Sequence, residues 1–210
     1  MSLIVTVCRT LASRPRLRLL RAIHAAPKIT VSDLATAVAQ SPDTASHHLK
    51  LLCDFHFVRA APSGRHVYYQ PVPDLPSAHP FLRGVGRLLR AVCTATHPCS
   101  TPVQVWNKAD ATSWEEVFAA LVELFTTYTH LRRLLILKHL AGNGACSAFE
   151  LAEQVGMSPV ATYRQMDKLK RRGVVASSES APELWSIRPH KGPDFRDKLL
   201  ALVLQELRVK

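Results

Sequence analysis

Between Gln40 and Val58 the chain reads QSPDTASHHLKLLCDFHFV. Asp43, Thr44, Ser46, His47 and Lys50 place a carboxylate, two hydroxyls, an imidazole and an ammonium within about two helical turns. Short donors and acceptors of this kind can reach the edges of bases in a duplex groove, and a lysine beside them can hold phosphate. Asp43 has two readings: it accepts a hydrogen bond from the cytosine amino group, or it only favours a helix N-terminus electrostatically. A second stretch, MSPVATYRQMDKLKRRG, offers Ser158, Val160, Tyr163, Arg164 and Lys168. The guanidinium fork of Arg164 matches the two acceptors of guanine, and Lys168, Arg171 and Arg172 are candidates for phosphate.

Other chemistry is poorly supported by spacing. His47 and His48 are adjacent, so on a helix their side chains point about 100° apart and do not share one ion. In CTATHPC, Cys93, His97 and Cys99 have the beginnings of a zinc set, but no fourth ligand is evident and Pro98 breaks the helix, so a loop with free thiols is expected. No Gly-rich loop follows a strand, and no nucleophile is spaced from a base. No catalytic residue, cofactor or metal is expected, and the chain is read as not an enzyme.

The elements that carry the polar residues follow from periodicity. Ser41 is a plausible N-cap with Pro42 at the first helical position, and Ala45, Leu49 and Leu52 recur on one face. A helix over 41–53 therefore points its polar residues away from the core. Upstream, Leu17, Leu20 and Ile23 line one helix and Leu34, Ala35 and Val38 another; downstream, FVRAAPSGRHVYYQ reads as a hairpin around Pro62, Ser63 and Gly64 that carries Arg59, Arg65 and His66.

The same pattern recurs without a gap at an offset of 117 residues. Leu34 meets Leu151, Ser41-Pro42 meet Ser158-Pro159, Leu49 meets Met166, and Leu52 meets Leu169. Downstream, Val67-Tyr68 meet Leu184-Trp185, and Pro76-Ser77 meet Pro193-Asp194. The second copy predicts a helix over 158–172, ended by Gly173, and a hairpin SSESAPELW whose Glu179 and Glu183 oppose a phosphate backbone. Amphipathic stripes follow each copy: Phe81, Leu82, Val85, Leu88, Leu89 and Val92 after a cap-like Ser77, and Phe195, Leu199, Leu202 and Val203 after Asp194. Ser113 and Glu116 form a capping-box pattern ahead of another.

Twenty-seven Lys and Arg against 16 Asp and Glu give a formal charge of +11, which favours an anionic partner. No apolar run approaches the roughly 18 residues of a membrane span. MSLIVTVCRTLA lacks a basic lead and is interrupted by Arg9, so no signal peptide is expected, and five irregularly spaced cysteines fit a reducing cytoplasm.

From Leu11 to Gln70 these residues resemble the arsenic-repressor (ArsR-like) family of winged-helix regulators, in RLRLLRAI, SDLATAVAQSPDTASHHLKLL and VRAAPSGRHVYY. Leu131 to Ile187 resembles the same or a neighbouring winged-helix family. The resemblance implies a dimeric, sequence-specific repressor that releases DNA on a signal. Its Cys-x-Cys metal sensor does not carry over: the corresponding KITVSDLA has no thiol, and the lone Cys146 does not replace one.

The expected fold class is mainly α with small β-hairpin wings. It comprises tandem winged helix-turn-helix domains plus flanking amphipathic helices, at 1–95 and 113–210 with a linker at 96–112. The expected partner is double-stranded DNA, bound by a homodimer or an intramolecular pseudo-dimer. Ser41, Asp43, Thr44, Ser46, His47, Lys50, Arg59, Arg65 and His66 would form the contacts of the first copy, and Ser158, Val160, Tyr163, Arg164 and Lys168 those of the second. The alternative is a winged-helix protein-interaction or architectural module without sequence-specific DNA binding.

Overall fold

The computed structural model describes residues 1–26, 28–73, 79–104, 111–177, 181–188, 192 and 194–208. Contacts gather them into two compact units, one of residues 9–123 and one of 1–8 with 124–210. Each is mainly helical with one three-stranded antiparallel sheet.

The first unit holds α2 (Arg14–Ala25), β1 (Ile29–Thr30), α3 (Val31–Ala37), α4 (Pro42–Asp54), β2 (Val58–Ser63), β3 (His66–Pro71) and α5 (Pro80–Cys93). Strand β3 is central, pairing Ile29 with Tyr69 on one side and Arg59 with Gln70 on the other. The hairpin closes through two residues, Gly64 and Arg65, with Gly64 at φ +60°, the positive φ that such tight loops require. Pro62 and Ser63, expected at the tip, are the last residues of β2, an edge strand where proline is tolerated. Leu17, Leu20, Ile23, Leu34, Ala45, Leu49, Leu52, Phe81, Val85 and Leu89 form the buried core.

Two further helices, α1 (Ser2–Leu11) and α6 (Trp114–Thr127), contain the division between units within their length. This differs from limits drawn at 96–112. The physical reason is visible at the start of α6, where Arg21 lies 3.4 Å above the Trp114 ring and Arg18 grips Glu115 with two hydrogen bonds of 2.8 and 2.7 Å. These contacts tie the first turn of α6 to α2. The N-terminal apolar segment is itself a core helix, with Ile4, Val5, Val7, Cys8 and Leu11 buried. Ser113 caps α6 through the Glu116 N–H, but the Glu116 carboxylate accepts from the N–H and hydroxyl of Thr112, so the bonds displace the expected capping box by one residue.

The second unit holds α7 (Leu131–Asn143), β4 (Cys146–Ser147), α8 (Ala148–Val155), α9 (Pro159–Arg171), β5 (Val175–Ser177), β6 (Leu184–Ile187) and α10 (Phe195–Arg208). Ser147 and Glu150 make a reciprocal capping box at α8. Phe125 meets Phe195 edge to face at 5.8 Å between ring centres. Asp194, expected as a cap, accepts from the Asp197 N–H at 2.8 Å.

The repeat holds bond for bond through the helix-turn-helix. The Gln40 N–H donates to the Ala35 carbonyl as Met157 does to Ala152, and Phe57 donates to Leu52 as Val174 does to Leu169. It slips in the wing. Ile29 pairs with Tyr69 but Cys146 pairs with Trp185, so Leu184-Trp185 occupy the places of Tyr68-Tyr69 and not those of Val67-Tyr68. The second wing is one residue shorter. The final helices match at an offset of 114, where Phe81, Val85, Leu89 and Cys93 correspond to the buried Phe195, Leu199, Val203 and Leu207. Leu82, Leu88 and Leu202, placed on the stripes by periodicity, are only partly buried. Pro76, Ser77 and Pro193 lie outside the described residues; α5 is capped by His79, whose Nδ1 accepts from the Phe81 N–H.

After each polar-faced helix the chain takes a left-handed residue: Gly173 at φ +66° in the second unit, His56 at φ +57° in the first. A side chain there costs about 1–2 kcal/mol, while glycine adds about 0.4–1 kcal/mol of chain entropy to the unfolded state. His56→Gly is therefore expected to stabilise the protein by about 0.5–1 kcal/mol, read as a higher urea midpoint. Gly173→Ala should do the reverse, since a Cβ at 173 meets the Arg196 guanidinium at 3.0 Å.

Candidate nucleic-acid interface

Helix α4 is fixed from within and polar without. Ala45, Leu49 and Leu52 are fully buried, while Asp43, Thr44, Ser46, His47 and Lys50 are exposed. The helix start is set by Ser41, whose Oγ accepts from the Thr44 N–H at 3.2 Å and lies 2.8 Å from the Thr44 hydroxyl. Both hydroxyls are thus committed first to the cap. His48 is half-buried, and burial, with Arg16 and His47 adding to it, holds its imidazole below the ordinary histidine value. The rings of His47 and His48 stand 6.0 Å apart and tilted, so they present separate nitrogens.

The wing adds charge. Arg59, Arg65 and His66 are all exposed, and Arg59 donates to the Gln70 side chain across the hairpin at 2.9 Å, which holds its guanidinium toward the partner strand. His66 sits edge-on to Tyr68.

Helix α9 repeats the construction on Thr162, Met166 and Leu169, with Ser158 accepting from the Ala161 N–H at 3.3 Å. Val160, Tyr163, Arg164 and Lys168 are exposed. The three cations named for phosphate separate here: Lys168 is open to solvent, Arg171 is paired with Asp167 at 2.7 Å, and Arg172 is partly buried. Lys170, which periodicity did not single out, is exposed, reaches the Ser177 hydroxyl at 3.4 Å and lies 5.5 Å from the Trp185 ring centre, so it bridges helix and wing. In the second wing Glu183 is exposed; Glu179 lies outside the described residues.

The thiols are dispersed. Cys93 is in the core, its pKa pushed up to about 12 by burial against the opposing pull of Arg21, whereas Cys99 is exposed. Among the described residues no three His, Cys, Asp or Glu side chains gather as a metal set. No helix of the described residues is long and apolar enough to cross a membrane.

These features define two winged helix-turn-helix units, each with an outward-facing second helix. A winged helix-turn-helix DNA-binding family model matches residues 13–57 and 130–176, together under half of the chain. No curated protein matches the chain. Among solved structures it is similar to human N-acetylserotonin methyltransferase in complex with SAM, at 16% identity and a TM-score of 0.30, over 76% of this chain and 53% of that one. The chain thus spans about half the length of that enzyme. The sequence-based exclusion of an enzyme is corrected on this point and withdrawn, because a structural match to an enzyme exists. A likeness of this size assigns no reaction to the chain.

Proposed function

We propose that the chain is a sequence-specific DNA-binding transcriptional regulator, and by its resemblance to ArsR-like proteins a cytoplasmic repressor. It reads the major groove of double-stranded DNA with α4 and α9. The observation that carries this reading is the seating of α4: three buried apolar residues hold it, while Asp43, Thr44, Ser46, His47 and Lys50 face outward, beside a wing bearing Arg59 and Arg65. Amphipathicity alone belongs to any surface helix; what suits a groove here is that the outward side chains are short hydrogen-bonding groups with a lysine, next to a cationic wing. The net charge of +11 supports a polyanionic partner.

Selection of bound sequences from a random duplex pool at physiological salt tests it. An enriched motif is expected; binding with no enrichment above the general attraction of a basic protein for DNA would sink the reading in favour of an interaction module. Light scattering of the complex then separates two reading heads in one chain from a homodimer that binds through its first unit.

Within this reading Arg164 has the clearest individual role. Arg164→Ala should cost about 1–3 kcal/mol of affinity, concentrated at one base pair, with discrimination at that pair relaxed. A loss spread evenly over all sequences would reassign Arg164 to phosphate.

A further inference from the structure

The outward faces of the two reading helices carry opposite chemistry. On α9, Val160 is 62% exposed and Tyr163 53% exposed, three residues apart and so on one face. At the corresponding positions α4 carries Asp43 and Ser46. Asp167, paired with Arg171, stands where α4 has Lys50. The inner faces show no such divergence, being apolar or small in both helices. The difference is confined to the surface that the proposed function assigns to DNA.

An exposed valine and tyrosine contribute little to their own unit's core; covering them with something apolar is favourable. On base edges in the major groove, the apolar feature is the C5-methyl of thymine. Arg164, Lys168, Lys170 and Arg171 lie on the same helix against the single carboxylate of Asp167, a charge balance suited to a polyanion and poorly suited to an apolar protein groove.

We propose that α9 reads thymine methyl groups through Val160 and Tyr163, whereas α4 reads by hydrogen bonds, so that the two half-sites differ in sequence and the operator is not an inverted repeat. Asp43 favours an amino donor, on cytosine or adenine, where α9 favours a methyl. The proposal rests on the reading of the chain as a sequence-specific DNA-binding protein.

The test uses the full chain and the duplex it selects, with deoxyuridine replacing thymine in one half-site at a time. Uracil pairs as thymine does and lacks only the methyl. The expected result is an unsymmetrical motif in which, at one half-site, uracil weakens binding about fourfold per contacted methyl. Val160→Ala should weaken binding to the thymine duplex by a similar factor and remove Val160's share of the thymine-over-uracil preference, at that half-site alone. Val160 is exposed, so its truncation leaves the fold intact, and the uracil substitution alters no protein atom. An inverted repeat, or a thymine preference that stays undiminished in both Val160→Ala and Tyr163→Ala, overturns the proposal and leaves the DNA-binding reading standing. Indifference to uracil at both half-sites overturns it too, and directs Val160 and Tyr163 to a protein partner. No enriched sequence at all overturns both.

Discussion

Raising the salt from 50 to 200 mM is expected to weaken the hold of the full chain on its selected duplex by roughly a thousandfold. Lys50, Arg59 and Arg65 of the first unit and Lys168, Lys170 and Arg171 of the second are exposed cations on or beside the reading helices. If about six phosphates are neutralised, the logarithm of affinity falls with the logarithm of salt at a slope near −5, since each contact releases counterions. The acid of the second wing works against this, for Glu183 brings no counterion release and repels the backbone. A slope near −5 therefore requires two such three-cation faces on DNA, from both units of one chain or from the first unit of each of two chains, whereas a slope near −3 means that a single face binds. A slope indistinguishable from zero would mean that the positive charge serves something else. Titration of a labelled duplex at four or five salt concentrations gives the number directly.

Much of the architecture was legible because local and global signals agree. Ser41-Pro42 and Ser158-Pro159 announce helix starts, and Ala45, Leu49 and Leu52 fix which face is buried, so α4 begins where the sequence places it. The wing register was not legible. A one-residue deletion between β5 and β6 leaves Leu184 and Trp185 alternating as before, and the pairing of Trp185 with Cys146 on one side and Ser177 on the other reveals the slip. The division into units was also hidden, because Arg21 over Trp114 and Arg18 with Glu115 join residues nearly a hundred positions apart, and no period in the sequence encodes such contacts. Within the site, exposure followed from periodicity but pairing did not: the Asp167–Arg171 bond and the reach of Lys170 toward Ser177 and Trp185 depend on side-chain direction and on the wing's position.

Leu49→Ala and Lys50→Ala change adjacent residues of α4 and are expected to fail in opposite ways. Leu49 is fully buried, and its truncation strips apolar packing from the core and leaves a cavity that the surrounding helices fill only in part, at a cost of about 3–5 kcal/mol. The urea midpoint should fall sharply with an unchanged slope. Lys50 is exposed, so its truncation should move stability by under about 0.5 kcal/mol. It should nonetheless weaken duplex binding evenly across sequences and reduce the salt slope by about 1, as expected when one phosphate is no longer neutralised. The pair separates what holds the helix from what the helix does. If Leu49→Ala were tolerated at under about 1 kcal/mol, the helix would not be seated as the structure has it. If Lys50→Ala instead altered the selected sequence, its ammonium would be reading a base edge beside Ser46 and His47, because an interaction that carries sequence information cannot be to phosphate alone.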